Sequence, residues 1–258
     1  MKKLSFIRKG IFALLVAATA LVACSKDSDE NDNGGNGNQP DKPIEVPKGD
    51  YGVLIGGVEL TSDNYQKINK DNFPAITEGT VSYDPIKRIL TLDGATINTT
   101  REGVDAIKQL ESTTATLTIV LKKENTLSSQ GGNSIYVKTA NLRITGNNGS
   151  LTIDSGQNYT SIYAEKDLTI DDVNSIEANR LIGAGSTLTI NKSKVHVTER
   201  NSYLAFSAQK GIILENCGVV IPEGAIQKKV RLSTGDFYTF VKGDKICSDV
   251  QIQEELPC

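Results

Sequence analysis

The sequence is poor in residues and motifs that many catalytic and binding sites require. Its 258 residues include no Trp, one His and one Met, and aromatic residues make up 5% of the chain. It contains no Gly-rich phosphate loop, no serine nucleophile elbow and no Cys/His spacing typical of zinc. These absences argue against nucleotide binding, serine hydrolysis and a structural zinc site.

Clustered positive charge is also missing. The chain has 28 Lys and Arg against 31 Asp and Glu, and four of the bases lie within the first 23 residues. Beyond that segment 24 bases face 31 acids, a balance of −7. Because neutralising phosphate needs clustered Lys and Arg, nucleic acid and anionic membrane surfaces are poor candidate partners.

The first 23 residues have the pattern of an export signal. A basic segment precedes the apolar run from Ile11 to Ala23, which is too short to span a bilayer. The run ends in Leu21-Val22-Ala23-Cys24, which resembles a bacterial lipobox. The resemblance implies that residues 1–23 are a lipoprotein signal peptide and that Cys24 carries a lipid. An ordinary signal peptide followed by an incidental Cys is the alternative.

Residues 24–49 are expected to combine the lipidated Cys with a flexible acidic linker. They are rich in Gly, Asn, Pro and acids and show no apolar periodicity, so they bury too little surface to fold. By resemblance to lipoprotein sorting, Ser25 favours the outer membrane. An acidic run resembles the signal that sends Bacteroidetes lipoproteins to the cell surface: Asp27, Asp29, Glu30 and Asp32. A solvated spacer is the alternative.

A short apolar tripeptide recurs six times from residue 90 onward. Successive copies start 27, 25, 26, 20 and 24 residues apart. A period in the twenties is typical of a solenoid, because one such unit cannot bury its apolar face alone whereas stacked units can. The copies are Leu90-Thr91-Leu92, Leu117-Thr118-Ile119, Leu142-Arg143-Ile144, Leu168-Thr169-Ile170, Leu188-Thr189-Ile190 and Ile212-Ile213-Leu214.

Two further alternating stretches follow within each unit, for example Leu151-Thr152-Ile153 and Ser161-Ile162-Tyr163-Ala164. Alternation of apolar and polar residues places one set of side chains inside and the other outside. With turns rich in Gly, Asn and Asp, the six copies predict an all-β, right-handed parallel β-helix with three short strands per rung and about six rungs. A leucine-rich-repeat fold, which the single stretch 219–225 resembles, is the second choice.

Both ends of the predicted solenoid have atypical sequences. Residues 53–60 predict a hairpin through Gly56-Gly57, and residues 237–252 predict a closing antiparallel hairpin around Lys242-Gly243-Asp244. Open parallel edges template association, so we expect these segments to act as caps. Residues 50–258 are thus predicted to form a single β-helix domain with N-terminal and C-terminal β caps.

Several rung-building segments resemble a known group of proteins. They are residues 79–84, Leu90-Thr91-Leu92, Ala95-Thr96-Ile97 and residues 162–170, which are similar to β-helix lipoproteins of gut Bacteroidetes. Clostridial relatives of that group are described as carbohydrate-binding. The resemblance covers residues 51–256 and implies a parallel β-helix and, less directly, polysaccharide binding.

Two tyrosines are predicted to form a ligand-binding strip. Tyr136 and Tyr163 occupy the same outward place on adjacent rungs, and Lys138 and Glu165 follow two residues after them. In the same column Lys108 is expected one rung before and Ile182 one rung after. Stacked tyrosines could support sugar rings, whereas the alternative is that they stack on each other and stabilise the sheet. The lack of Trp, the usual sugar-stacking residue, counts against the sugar interpretation.

A second outward column carries oxygen donors on consecutive rungs. The column is expected to begin at Asp93 and to end with Asp171, Asn191 and Glu215. Asp172 lies beside these last three residues. Hard cations prefer such ligands, so Ca²⁺ is the cofactor that this column would take, as a bridge to an acidic polysaccharide. The alternative is that Asp and Asn occur there because strands end and turns begin.

Signals for catalysis are weak. The only adjacent acid pair in the rungs is Asp171-Asp172, and adjacent residues of a strand point to opposite faces. No compact Asp cluster with a flanking Arg and His is evident, and His196 is expected to face outward as an ordinary strand residue. A polysaccharide lyase or glycoside hydrolase is therefore a low-ranking alternative.

Three cysteines remain after lipidation of Cys24: Cys217, Cys247 and Cys258. Export permits a disulfide. Cys247 with Cys258 would secure the last strand, whereas Cys217 with Cys247 would hold the cap on the final rung.

These observations predict a monomeric, non-catalytic binding protein, lipid-anchored to the outer membrane and exposed at the cell surface. The expected partner is an extracellular polysaccharide or glycan, with membrane contact only through the lipid. An adhesin or structural surface protein that binds host proteins is the main alternative, because flat ladders of side chains would serve that role too.

Overall fold

The computed structural model describes residues 45–199, 204–233 and 235–254, without the side chain of residue 147. The predicted signal peptide, the lipidation site Cys24, most of the predicted linker and Cys258 lie outside these residues. The described residues form strands and no helix. Accordingly, this part of the chain offers no helix that could cross a membrane.

The chain forms twenty strands in the described residues. They are β1 (Asp50–Ile55), β2 (Val58–Thr61), β3 (Ile76–Asp84), β4 (Ile89–Thr99), β5 (Ile107–Gln109), β6 (Leu117–Ser129), β7 (Ile135–Val137), β8 (Leu142–Ser155), β9 (Ile162–Ala164), β10 (Leu168–Ala178), β11 (Ile182–Ala184), β12 (Thr187–Asn191), β13 (Val195–Thr198), β14 (Phe206–Ala208), β15 (Gly211–Glu215), β16 (Cys217–Ile221), β17 (Ile226–Leu232), β18 (Gly235–Lys242), β19 (Lys245–Ile246) and β20 (Asp249–Glu254).

These strands form two ten-stranded sheets, with parallel pairing inside the solenoid and antiparallel pairing at its ends. One sheet, the short-strand sheet, contains the three-residue strands β5, β7, β9, β11 and β14 in that order, and the other, the long-strand sheet, contains β4, β6, β8, β10, β12 and β13. The repeated tripeptides lie in register from Leu117 through Leu142, Leu168 and Leu188 to Ile212. The structure is therefore a β-solenoid of about five turns, which confirms the predicted parallel solenoid rather than a leucine-rich repeat.

The apolar members of each repeat fill the interior. Leu168, Ile170, Leu188 and Ile190 are fully buried, and the Thr between each pair points outward and is half-buried. Fully burying one such side chain contributes about 1.5–3 kcal/mol, so stacked Leu and Ile columns stabilise every turn. The outward columns are correspondingly free to carry other chemistry.

Two of the three predicted strands per rung are joined. β4, β6, β8 and β10 are each one long strand with a bend, where two short strands were predicted. In the turn after β10 the two short strands are separate, as β12 and β13. The bends of several turns place a residue in the left-handed region, at φ angles of 57° for Lys123, 55° for Asp172, 42° for Lys192 and 54° for Asn216. Asp and Asn tolerate this conformation better than most residues, which suits Asp172 and Asn216 to these positions, whereas the other two are lysines.

Buried polar side chains satisfy the backbone at these bends. The Asn125 Oδ1 atom accepts from the Ala95 N–H at 2.8 Å, and its Nδ2 donates to the Lys122 and Ser150 carbonyls at 3.0 and 3.2 Å. In a later turn the Ser193 hydroxyl accepts from the Val173 N–H at 3.0 Å. Because an unpaired buried amide is costly, these side chains allow the chain to turn without leaving the core.

The first turn is displaced by two residues from the alignment that the repeats predict. Leu90 lies opposite Ile119 rather than Leu117, and Asp93 lies opposite Lys122 rather than Val120. A shift of two residues keeps every inward side chain inward, so alternation alone cannot detect it. Asp93 therefore does not belong to the column of Asp171.

The sixth repeat does not complete a turn, which reduces the predicted six rungs to about five. Its strand β15 pairs in parallel with β12, but the chain then enters β16, which pairs antiparallel with β20.

Antiparallel strands cover the N-terminal end of the solenoid. Strands β1 and β2 form the predicted hairpin, with positive φ angles of 57° at Gly56 and 85° at Gly57, as a tight two-residue turn requires. β1 pairs antiparallel with β5, and β3 pairs antiparallel with β4. Both parallel sheets are thus capped at this end.

The C-terminal cap differs from the predicted single hairpin. Strand β18 covers β14 and pairs only briefly with β19, whereas β20 crosses to the long-strand sheet and covers β13. The crossing segment bonds to the solenoid backbone, since the Ser248 and Cys247 carbonyls accept from the Glu199 and Ala205 N–H groups. At β15, the Ile212 N–H donates to the side chain of Gln227 from the cap.

Candidate functional site

Strands β7 and β9 place the two predicted tyrosines side by side. Tyr136 pairs in register with Tyr163, and Lys108 of β5 precedes them in the same column. The flanking residues Ile135 and Val137 are fully buried, so alternation turns Tyr136 outward. The outward column of the short-strand sheet is therefore as predicted from Lys108 to Tyr163.

The tyrosine rings stack on each other. Their centroids are 6.3 Å apart and their planes differ by 21°. Such aromatic pairs contribute about 0.5–1.5 kcal/mol beyond their buried area. On the far side of Tyr136 the Lys108 Nζ atom lies 5.6 Å from the ring centroid, within the range of a cation–π interaction.

Gly183, not the predicted Ile182, follows Tyr163 in this column. It pairs with Tyr163, while Ile182 is buried inside the solenoid. A Cβ atom on Gly183 would lie 3.1 Å from the Tyr163 Cδ2 atom and 2.8 Å from the Ser207 Oγ atom. The Tyr163 ring thus covers a glycine of the sheet, an arrangement that stabilises strands containing glycine.

Polar groups surround the rings. The Tyr136 hydroxyl donates to the Glu165 Oε1 atom at 2.5 Å, and Lys138 forms an ion pair with Glu111. Burial, and then the bond to Glu165, raises the pKa of the Tyr136 hydroxyl well above its ordinary value. Burial likewise raises the pKa of Tyr163. Both phenols therefore stay neutral hydrogen-bonding groups over the physiological range.

The structure thus unites all four predicted ligand-binding residues and adds two. We define the tyrosine strip as Lys108, Glu111, Tyr136, Lys138, Tyr163 and Glu165. Glu111 was missed because it follows β5 rather than lying within a strand, and only the stacking of turns brings it to Lys138. Its neighbours Leu110 and Ser112 give no signal of that contact in the sequence.

The predicted calcium column is assembled, but Asp171 and Asn191 already have hydrogen-bond partners. Asp171, Asn191 and Glu215 lie in register on consecutive turns. Asp171 accepts from Arg143 Nη2 at 2.5 Å and from Asn191 Nδ2 at 2.8 Å. Asn216 Nδ2 in turn donates to Asn191 Oδ1 at 2.8 Å. The column therefore forms a ladder of hydrogen bonds.

Within the described part of the chain, no group of three or more His, Cys, Asp and Glu side chains is arranged to hold a metal ion. Asp93 is displaced from the column and pairs with Lys123 at 2.7 Å. Asp172 adopts the left-handed bend conformation and is exposed, so it serves the turn.

His196 connects the solenoid with its C-terminal cap. Its Nδ1 atom lies 2.9 Å from Glu177 of β10, and its Nε2 atom lies 2.8 Å from Asp249 of β20. The side chain is 27% exposed and points outward, as the sequence predicts. Because a carboxylate lies within hydrogen-bond distance of each ring nitrogen, the imidazole bridges β10 and β20.

The cysteines of the C-terminal region occupy buried positions. Cys217 donates its thiol to the Ile190 carbonyl at 3.1 Å, and burial raises the pKa of the Cys247 thiol. No disulfide joins Cys217 to Cys247, so that predicted alternative is wrong. Pairing of Cys247 with Cys258 stays a prediction, because Cys258 lies outside the described residues.

The fold assigns the chain to the β-solenoids, and comparisons with known proteins add no closer relationship. No family model matches the sequence, and neither a curated protein nor a solved structure gives a significant match.

Proposed function

We propose that the protein is a non-catalytic binding protein, lipid-anchored to the outer membrane, that presents the tyrosine strip to an extracellular glycan. The anchor and the surface location rest on the sequence alone, through the lipobox around Cys24 and the acidic linker. The resemblance to β-helix lipoproteins whose relatives are described as carbohydrate-binding supports the choice of ligand.

The observation that carries the proposal is the stacked pair of Tyr136 and Tyr163 on an outward face. Aromatic side chains provide flat apolar surface, and sites for small ligands add a few placed polar groups that fix orientation. The strip offers both kinds of group: two half-buried rings, with Lys138 and Glu165 beside them.

The surroundings also suit an extended ligand. The strip lies on consecutive turns, and strands within a sheet are spaced by about 4.8 Å, so its side chains follow the solenoid axis. A chain of sugar residues lying along that axis would meet hydrogen-bonding groups on each turn.

A glycan array with the purified chain tests the proposal. Tyr163→Leu removes the aromatic ring but keeps apolar cover over Gly183, and Tyr159→Leu is a matched control whose hydroxyl bonds Glu102 outside the strip at 2.8 Å. We expect Tyr163→Leu to weaken binding at least about tenfold, equivalent to about 1.4 kcal/mol. Tyr159→Leu should bind as the parent does.

Equal binding by Tyr163→Leu and the parent would move the site away from the strip and overturn the proposal. Failure to bind any glycan would overturn it as well. In that case a pull-down with host surface proteins would test the adhesin alternative.

A further inference from the structure

Charge is distributed unevenly over the tyrosine strip and the adjacent Asp105. The Lys108 Nζ atom lies 3.2 Å from Asp105, and Lys138 forms an ion pair with Glu111. Each ammonium group therefore already faces its own carboxylate. Together with Glu165 the region carries two positive and three negative charges, a net charge of −1.

Glu165 is the carboxylate of this region that forms no ion pair among the described residues. Its charge still reaches Lys138, because Glu111 first and Glu165 to a lesser degree raise the pKa of that ammonium group. The Glu165 Oε1 atom accepts from the Tyr136 hydroxyl at 2.5 Å. The residue is half-buried and carries its charge close enough to both tyrosines to raise the pKa of each hydroxyl. Its second oxygen has no hydrogen-bond donor in the described structure.

An unpaired carboxylate beside aromatic rings attracts cations. A cation within about 6 Å of a ring centroid is stabilised by the ring, more so where the site is partly dehydrated. Lys108 already occupies this position over Tyr136, whereas Tyr163 has no such cation in the described residues. An acidic sugar placed there would instead meet the negative charge of Glu165.

We infer that the tyrosine strip selects glycans with protonated amino groups, binding the amine between Glu165 and the Tyr163 ring. The inference rests on the proposed function and deepens it, because it assigns the chemical class of sugar. It also opposes the expectation of an acidic polysaccharide, for which this strip has no unpaired cation among the described residues.

Three oligosaccharides of equal length provide the probes. They are an oligomer of glucosamine, the same oligomer fully N-acetylated, and an oligomer of galacturonic acid. Titration calorimetry at pH 5.5 keeps the sugar amine protonated. We expect the glucosamine oligomer to bind about five- to tenfold more tightly than its acetylated form, as a partly exposed cation site allows, and galacturonate to bind weakest.

Glu165→Gln separates charge from shape, since the amide oxygen can still accept from Tyr136. We expect this variant to lose the preference for the free amine while binding the acetylated oligomer as the parent does. Glu124→Gln is the matched control, because it removes the same charge from an exposed position on the long-strand sheet. It should keep the preference.

The outcomes distinguish the two levels of the argument. Equal affinity for free and acetylated oligomers, or preference for galacturonate, would overturn the inference while Tyr163-dependent binding still supported the proposed function. A preference that persists in Glu165→Gln would also overturn it. If none of the probes or array glycans binds, the proposed function and the inference both fail.

Discussion

The side-chain amide of Asn191 donates to the carboxylate of Asp171 at 2.8 Å across one turn of the solenoid. Arg143 donates to the same carboxylate from the preceding turn at 2.5 Å. Asp171 is thus held between two donors, and its charge is balanced by the guanidinium group. A ladder of this kind connects neighbouring turns through side chains as well as through the backbone.

Calcium should therefore have no effect on the isolated protein. A Ca²⁺ ion takes six to eight oxygen ligands, whereas the side chains of Asp171, Asn191 and Glu215 carry five oxygens distributed over three consecutive turns. We expect the same melting temperature in millimolar Ca²⁺ and in chelator. A clear rise with Ca²⁺, lost in Asp171→Asn, would show that the ladder opens to accept the ion.

The hydroxyl of Tyr136 should titrate at unusually high pH. Burial is the larger cause and the bond to Glu165 the second, so Glu165→Gln should lower the pKa without restoring its ordinary value of 10.0. Absorbance at 295 nm, taken as the difference between the parent and Tyr136→Phe, isolates this group. A pKa at the ordinary value in the folded parent would contradict the buried, bonded geometry.

The same shift has a consequence for stability. Because folding raises the pKa of this phenol, its contribution is fully present below pH 10.0 and is lost as the pH rises through the folded-state value. The parent should therefore lose more stability than Tyr136→Phe between pH 10 and pH 11, measured by denaturant unfolding. Parallel losses would contradict the expected linkage.

Inward and outward positions of one strand should respond very differently to truncation. Ile170 is fully buried, so Ile170→Ala should reduce the free energy of unfolding by about 2–5 kcal/mol. Its outward neighbour provides the control: Thr169→Ala should change stability by at most about 0.5 kcal/mol. Chemical unfolding of the two variants measures both, and similar losses would contradict the assigned inward and outward faces.

His196 should hold the last strand of the cap in place. Replacing it in His196→Ala removes both carboxylate contacts, so the amides of Val250 and Ile252 on β20 should exchange hydrogen faster. Thr152→Ala, on the same outward face but one turn from Glu177, serves as the control. Unchanged exchange in His196→Ala would show that the backbone pairing alone holds β20.

The sequence predicted how the turns stack better than it predicted which side chains touch between turns. Repeats such as Leu142-Arg143-Ile144 and Leu168-Thr169-Ile170 set the register correctly, because inward Leu and Ile must stack on each other. The register of Leu90 was wrong by two residues, a displacement that alternation permits without exposing any apolar side chain.

In the tyrosine strip, too, the alignment of residues was predictable from the repeat, whereas the contacts of the polar side chains were not. Tyr136 and Tyr163 could be aligned because they follow the repeat, and their stacking was foreseen as the structural alternative. Gly183 replaces Ile182 in the column because Ile182 pairs with the buried Ile162 and so points inward. Contacts of long polar side chains, such as Lys138 with Glu111, depend on stacking between turns and leave no periodic signal.

The antiparallel caps have a consequence for the proposed binding of a glycan chain. Since β1 and β3 close one end and β18 and β20 close the other, the solenoid cannot lengthen by adding further copies end to end. Each copy then offers one stacked tyrosine pair, and one such pair gives modest affinity. Durable attachment would come from avidity, with many copies holding one chain at high effective concentration. Affinity measured on single molecules in solution should accordingly understate retention on a densely coated surface.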